Sequence, residues 1–173
     1  MKRKPSHTLL GMTSFINKSE FINMSIEILH KPVLKIALTD AERQRAIALL
    51  ETHNLPTSDI DDDKLLYILL DGEKVIGTAG LEIFDDCALL RSVSVAKEDQ
   101  GKGYGKIIND EIEKFTKESG INCLYLLNNN AKDFFDKQGY CSIKREETPE
   151  AVKQTAEFTS LCPASAVVMK KRL

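Results

Sequence analysis

The stretch Val93-Ser94-Val95-Ala96-Lys97-Glu98-Asp99-Gln100-Gly101-Lys102-Gly103-Tyr104-Gly105-Lys106 decides how this chain is read. It begins as the end of a β-strand. A short polar connection follows, then a glycine-rich turn that opens a helix. Glycines let backbone N–H groups converge on one point, and the helix N-terminus adds the positive end of its dipole. Strand, turn and helix start in this order make an anion cradle suited to a di- or polyphosphate.

Working outward, the helix after the turn spans Tyr104 to Ser119, with Ile107, Ile108, Ile112 and Phe115 on one face and Gly120 as its stop. Upstream, Lys64 to Leu70, Val75 to Phe84 and Cys87 to Val95 read as strands, joined by turns at Asp71-Gly72 and Asp85-Asp86. Before them, Val33 to Leu38 is a strand. Thr39 and Glu42 form a capping box for a helix to about Glu51, with Ala46, Ile47, Leu49 and Leu50 inward. Asn54 to Asp63 reads as a loop with room for a short helix, and its Asp61-Asp62-Asp63 as solvated surface. Downstream come a strand from Asn122 to Leu127, a short helix from Asn129 to Lys137 and a strand from Gly139 to Arg145. A helix then starts at Thr148-Pro149, with Pro at the first helical position, and Ala164 to Lys170 is the last strand. Early hairpins followed by strand-helix-strand units predict an α+β fold. The sheet is mixed, mostly antiparallel and six- to seven-stranded, with helices on both faces.

The chain has 173 residues, 42% of them hydrophobic and 29% charged, which suits one core. A net charge of −2 gives no bulk attraction to nucleic acid or to an anionic membrane surface. No apolar stretch reaches transmembrane length, and Thr8 to Met12 is too short for a signal-peptide core. Cys87, Cys123, Cys141 and Cys162 are widely spaced without neighbouring His, so the expectation is reduced thiols, no metal site and a cytoplasmic protein. Residues 1–24 are basic and weakly periodic and are expected to be a loosely ordered extension; residues 25–173 form the domain. Oligomeric state is open, a homodimer included.

The glycine turn has competing readings. A dinucleotide fingerprint needs Gly-x-Gly-x-x-Gly after an early strand, whereas the glycines here are Gly101, Gly103 and Gly105, past mid-chain. A P-loop needs Ser or Thr after Gly-Lys, whereas Gly105-Lys106 precedes Ile107. A plain surface turn is the bland alternative. The last reading is the pyrophosphate loop of the GNAT acetyltransferase superfamily, Gln/Arg-x-x-Gly-x-Gly/Ala, which Gln100-Gly101-Lys102-Gly103-Tyr104-Gly105 resembles. Asn129-Asn130-Ala131-Lys132-Asp133-Phe134-Phe135-Asp136-Lys137-Gln138-Gly139-Tyr140 resembles the superfamily's second landmark, with Asn129, Ala131 and Gly139-Tyr140 in register.

The resemblance implies that acetyl-coenzyme A is the cosubstrate, held between the strands ending near Val95 and Leu127. It implies that Val93 and Val95 pair with the pantetheine arm through their backbone. It further implies that Gln100, Gly101, Lys102, Gly103, Tyr104, Gly105 and Lys106 hold the pyrophosphate, and that Asn129 and Phe135 border the cofactor. A small primary amine then attacks the thioester directly, with proximity and backbone electrostatics as the protein's contribution. Phe135 stands where the superfamily often has a Tyr to protonate the leaving thiolate, which leaves that acid unassigned and keeps a non-catalytic acyl-coenzyme A sensor open as an alternative. A side chain at Gly103 or Gly105 is expected to block the approach of the phosphates.

If Asp85-Asp86 is a two-residue turn, Glu82 pairs with Leu89 and Gly80 with Arg91, so Glu82 and Arg91 are diagonal neighbours on one face. Glu82 could then draw a proton from an ammonium through water, and Arg91 could bind a substrate carboxylate or oxyanion. A purely structural ion pair is the alternative. Glu73, Lys74 and Lys97 are expected to be surface charges.

The segment from Thr148 to Ala166 inserts a helix where the superfamily usually has only a hairpin. With Gly80-Leu81-Glu82 and Leu89 to Val93, it resembles the second branch of arsenic-resistance-associated N-acetyltransferases, in the order Pro149, Thr155, Phe158, Leu161-Cys162-Pro163 and Ala164. Asn128-Asn129-Asn130 departs from that branch, where Thr is usual. The resemblance implies detoxifying N-acetylation of an amino-acid-like arsenical or phosphinic analogue. Glu157 is an alternative base and Cys162 a lining residue, or the helix is only a packing lid. A regulatory, arsenic-responsive binding protein is the non-enzymatic alternative.

Overall fold

Seven strands form one sheet in the order β1-β2-β3-β4-β5-β7-β6 in the computed structural model, which describes residues 31–173. The expected extension at residues 1–24 and the start of the domain at 25–30 lie outside the described residues. The strands are β1 Val33–Ile36, β2 Leu65–Asp71, β3 Lys74–Ile83, β4 Cys87–Val95, β5 Cys123–Asn128, β6 Cys141–Ile143 and β7 Val167–Arg172. The helices are α1 Asp40–Thr52, α2 Tyr104–Glu118, α3 Lys132–Lys137 and α4 Glu150–Lys153. All strand pairs are antiparallel except β4 with β5.

Alternation sets the two faces. On β2, Tyr67 and Leu69 join Ile108, Ile112 and Phe135 in the core beneath α2 and α3. Leu66 and Ile68 pack on Ala46 and Leu50 of α1 on the other face. Cys87, Leu89 and Tyr125 gather Val152 of α4 on that second face, at the β4–β5 end of the sheet. The helices therefore cover both faces, as the sequence pattern requires.

Thr39 caps α1. Its hydroxyl accepts from the Glu42 N–H at 3.2 Å, and the Glu42 carboxylate accepts from the Thr39 N–H at 3.2 Å. The Asp85-Asp86 connection is the two-residue turn: the Phe84 N–H donates to the Cys87 carbonyl at 2.9 Å, Glu82 pairs with Leu89 and Gly80 with Arg91.

Several boundaries differ from the expected ones, each for a local reason. The first hairpin turns at Gly72-Glu73, because Asp71 already pairs with Lys74 and Gly72 takes φ +59°. Helix α3 starts late, because the Asn128 side chain accepts from the N–H groups of Asn130 and Ala131 at 3.1 and 2.7 Å and holds a turn there. Pro149 is the N-cap of α4, one place before its expected position. The helix expected after it is one α-turn followed by a π-turn at Glu157–Leu161. Thr155 causes the break: its hydroxyl donates to the Val152 carbonyl at 2.7 Å and accepts from the Phe158 N–H at 3.3 Å.

Two features of β4 open the sheet. It pairs with β5 only over Cys87 to Leu89, opposite Cys123 to Tyr125. Beyond that point it carries a bulge: Thr78 faces Ser94 and Gly80 faces Arg91, so β4 spends three residues where β3 spends two. Ser92 takes φ +53° there, and its carbonyl accepts from the Thr78 hydroxyl at 2.9 Å. The bulge re-aims the end of β4 just where it parts from β5.

Candidate active site

The gap between β4 and β5 continues into a trough. Its outer part is a hollow of about 300 Å³ lined by Val95, Asp99, Gln100, Gly101, Gly103, Tyr104, Gly105, Lys106 and Phe134. The next, of about 350 Å³, shares Val95, Gln100, Gly105 and Phe134 with it and adds Val93, Ser94, Ala131 and Phe135. The innermost, a cleft of about 340 Å³, shares Val93, Ala131 and Phe135 with the middle hollow. The three are therefore contiguous.

The outer part is built from backbone. Gly101 and Gly103 take φ +77° and +86°, and Gly103 is the N-cap of α2. No side chain caps this helix, so the N–H groups of its first turn, from Tyr104 to Lys106, have no partner within the helix. A Cβ on Gly103 would meet nothing within 4 Å, so the positive φ, and not crowding, is what asks for glycine there. A Cβ on Gly105 would come within 3.4 Å of the Phe134 ring. Asp99 steadies the approach to the turn, its carboxylate held by Lys102 at 2.7 Å and Lys74 at 2.8 Å. These two bonds, Lys102's first, keep it below the usual carboxylate range. Lys74 is the exposed surface charge expected, paired with Asp99 and Glu98. The Gln100 side chain donates to the Val95 carbonyl at 3.0 Å, and Lys106 is turned to Asp110 at 2.6 Å.

The inner cleft is built from side chains of four separate segments. Arg91 of β4 is its hub, with a side chain only 1% exposed. Its two terminal nitrogens bond Asp59 at 2.5 and 2.6 Å in a fork; one of them also bonds Glu82 at 2.6 Å, and Glu157 lies 3.4 Å from the other. Burial works against this charge, but Asp59, Glu157 and Glu82 outweigh it, and the guanidinium's pKa rises above its ordinary value. Gly80 makes room for it: a Cβ there would come within 2.9 Å of the Arg91 stem. Glu157 is 8% exposed, and burial raises its pKa against the pull of Arg91. The Cys162 thiol donates to Glu157 at 3.6 Å, and burial, then the Glu157 charge, push it up to about 12.

The expected residues divide accordingly. Glu82 and Arg91 meet, but the fork expected to be free for a substrate carboxylate is filled by Asp59. Arg91 and Glu157 line the cleft; Glu82 supports Arg91 without lining it. Phe135 is buried where the inner cleft meets the middle hollow. Asn129 is exposed at the cleft, while its neighbour Asn128 is buried and shapes the turn before α3. Asp59 and His53, which the sequence analysis did not single out, come from the stretch after α1; His53 lines the cleft and its Nδ1 lies 2.9 Å from the Ser94 hydroxyl. The four cysteines are free, and among the described residues no group of His, Cys, Asp or Glu is arranged to hold a metal ion.

Comparison with known proteins places this architecture. The model of the acetyltransferase (GNAT) family matches residues 31–140, well over half of the chain. This chain belongs to that family. An uncharacterised N-acetyltransferase of Chlorobaculum tepidum is 30% identical over 80 residues, 46% of this chain and 51% of the relative. One of Staphylococcus saprophyticus is 37% identical over 65 residues, 38% of this chain and 40% of the relative. The GNAT chain thus spans about half the length of the curated relatives it matches. Among solved structures, N-acetylglutamate synthase from Neisseria gonorrhoeae, complexed with coenzyme A and N-acetyl-glutamate, superposes with a TM-score of 0.69 at 20% identity, over 83% of this chain and 35% of that one. A Mycobacterium tuberculosis protein in complex with coenzyme A superposes with a TM-score of 0.67 at 17% identity, over 82% and 99%. At these identities the likeness concerns the fold.

Proposed function

We propose that this GNAT chain is an N-acetyltransferase that moves the acetyl group of acetyl-coenzyme A to a small primary amine. One observation carries the reading: a single trough runs from an uncapped, glycine-led helix start to a cleft lined by ionisable side chains. The amides from Gln100 to Lys106 suit a pyrophosphate, each charge-assisted bond contributing about 1.5–3 kcal/mol. The edge of β4 at Val93 and Val95, which β5 has left, suits an extended amide-bearing arm. The acetyl group then lies beside the inner cleft, where the amine is held for direct attack.

The finer reading rests on the C-terminal insert. Glu157, Leu161 and Cys162 all line the cleft, so the segment that resembles the arsenic-resistance-associated branch is the one that would contact the acceptor. On that ground the acceptor is an amino-acid-like arsenical or phosphinic analogue and the role detoxification. Four free thiols suit a cytoplasmic enzyme. Among the described residues no helix is long and apolar enough to cross a membrane.

The test is release of coenzyme A thiol from acetyl-coenzyme A, with free amino acids, phosphinic and arsenical amino acids, polyamines and a lysine peptide as acceptors. Turnover on one small amine supports the enzyme, and its identity settles the finer reading. Acetyl-coenzyme A binding without thiol release on any acceptor favours the non-catalytic binder, in line with Phe135 at the position of the usual acid.

A further inference from the structure

We propose that His53 is the base that removes the proton from the acceptor ammonium. This rests on the acetyltransferase reading and adds a residue to it.

His53 is the C-cap of α1, and its ring lines the inner cleft with Arg91, Ser92, Val93, Glu157 and Cys162. Its Nδ1 lies 2.9 Å from the Ser94 hydroxyl, 3.2 Å from the Leu49 carbonyl and 3.4 Å from the Thr52 hydroxyl. A carbonyl only accepts, so the Leu49 contact favours hydrogen on Nδ1, whereas the Ser94 hydroxyl fits either tautomer. The Ser94 hydroxyl then accepts from, or lies beside, the same N–H. With Nδ1 protonated, the lone pair sits on Nε2, which has no hydrogen-bond partner among the described residues. The ring is thus oriented by groups on one edge, while the other edge has no hydrogen-bond partner among the described residues.

Place and competition support this role. Ser94, which ties the ring to β4, directly follows Val93, the residue beside which the thioester would lie. The two carboxylates first considered as bases are engaged elsewhere. Glu82 is bonded to Arg91 and does not line the cleft. Glu157 lines it, but one oxygen faces Arg91, the other accepts from Cys162, and it is almost fully buried. The charged and titratable groups that line the cleft with His53 are Arg91, Glu157 and Cys162, and Asp59 and Glu82 are bonded to Arg91.

The step balances. The acceptor R-NH3+ gives one proton to Nε2 and becomes R-NH2. Its lone pair forms the N–C bond to the thioester carbonyl carbon. On collapse the C–S bond breaks, its electron pair leaves on sulfur, and the second nitrogen proton ends on the thiol. The imidazolium returns its proton to water. The products are the N-acetyl amine, coenzyme A thiol and one proton.

Two measurements test it. In the ¹⁵N NMR spectrum of histidine-labelled protein near neutral pH, His53 is expected as the Nδ1–H tautomer; a ring protonated only at Nε2 overturns the proposal without any turnover assay. His53→Asn keeps a donor near the Leu49 carbonyl and removes Nε2. It should lower kcat by about 100-fold, with the acetyl-coenzyme A dissociation constant unchanged. The deficit should shrink as pH rises towards the acceptor's own pKa, where free amine is supplied by the solvent. An unchanged kcat and pH profile in His53→Asn, with active wild type, overturns the role of His53 alone. A wild type that binds acetyl-coenzyme A but acetylates nothing overturns the acetyltransferase reading and this proposal with it.

Discussion

The two ends of the trough are made of different material. The outer end is backbone: a strand edge, two glycines at positive φ and the first turn of a helix, all within one run of sequence. The inner end is side chain: Arg91, Glu82, Asp59 and Glu157, held by one another, and His53, tied to Ser94, the five supplied by four segments. Backbone presents the same groups whatever the acceptor, so the outer end suits a part of the substrate that does not vary. Side chains can differ from chain to chain, so on the proposed function the inner end is where the choice of acceptor would be made.

The largest expected effect falls at the inner end. Arg91→Ala leaves Asp59, Glu82 and Glu157 crowded together without their cation. Breaking a buried pair in this way costs about 3–5 kcal/mol, read as a lower midpoint in urea unfolding. A variant as stable as wild type would mean that the inner end is not held by charge at all, and the contrast with the outer end would fail.

Gly103→Val probes the outer end. A β-branched residue at φ +86° is strained, by about 1–2 kcal/mol, and the turn relieves that strain by moving its amides. Losing one charge-assisted bond should raise the acetyl-coenzyme A dissociation constant about 10- to 150-fold by calorimetry, with the inner cleft intact. Binding at wild-type strength would show that the turn is ornamental. A loss of stability as deep as that of Arg91→Ala would make it structural first.

The same contrast explains what the sequence could convey. The glycine turn, the Thr39–Glu42 capping box and the Glu82–Arg91 register are local: each follows from residue spacing within one element or one hairpin, and each is found in place. Asp59 and His53 meet their partners across 32 and 41 residues, from a stretch with no periodicity to mark its direction. Nothing local says that Asp59 turns inward while Asp62, three residues on, is almost fully exposed. The break at Thr155 was hidden for a related reason. A hydroxyl that bonds the backbone competes with the helix only once the turn before it has formed.

The smallest effect sharpens the account of the inner end. Glu157 has its folded-state pKa raised above the ordinary carboxylate value, by burial first, with Arg91 opposing. A carboxyl raised on folding binds its proton more tightly in the folded chain. Its contribution is therefore fully present below the unfolded value near 4.5 and is lost as pH rises through the folded one. Glu157→Gln keeps the shape and removes the titration. Its unfolding free energy, followed by urea titration from pH 4.5 upward, should fall less steeply with pH than that of wild type. Parallel curves would mean that Arg91 fully compensates the burial of Glu157, so that the cluster holds all three carboxylates charged. A steeper curve in the variant would mean that the ionised Glu157 is what ties the insert to β4, and the π-turn would then depend on that charge.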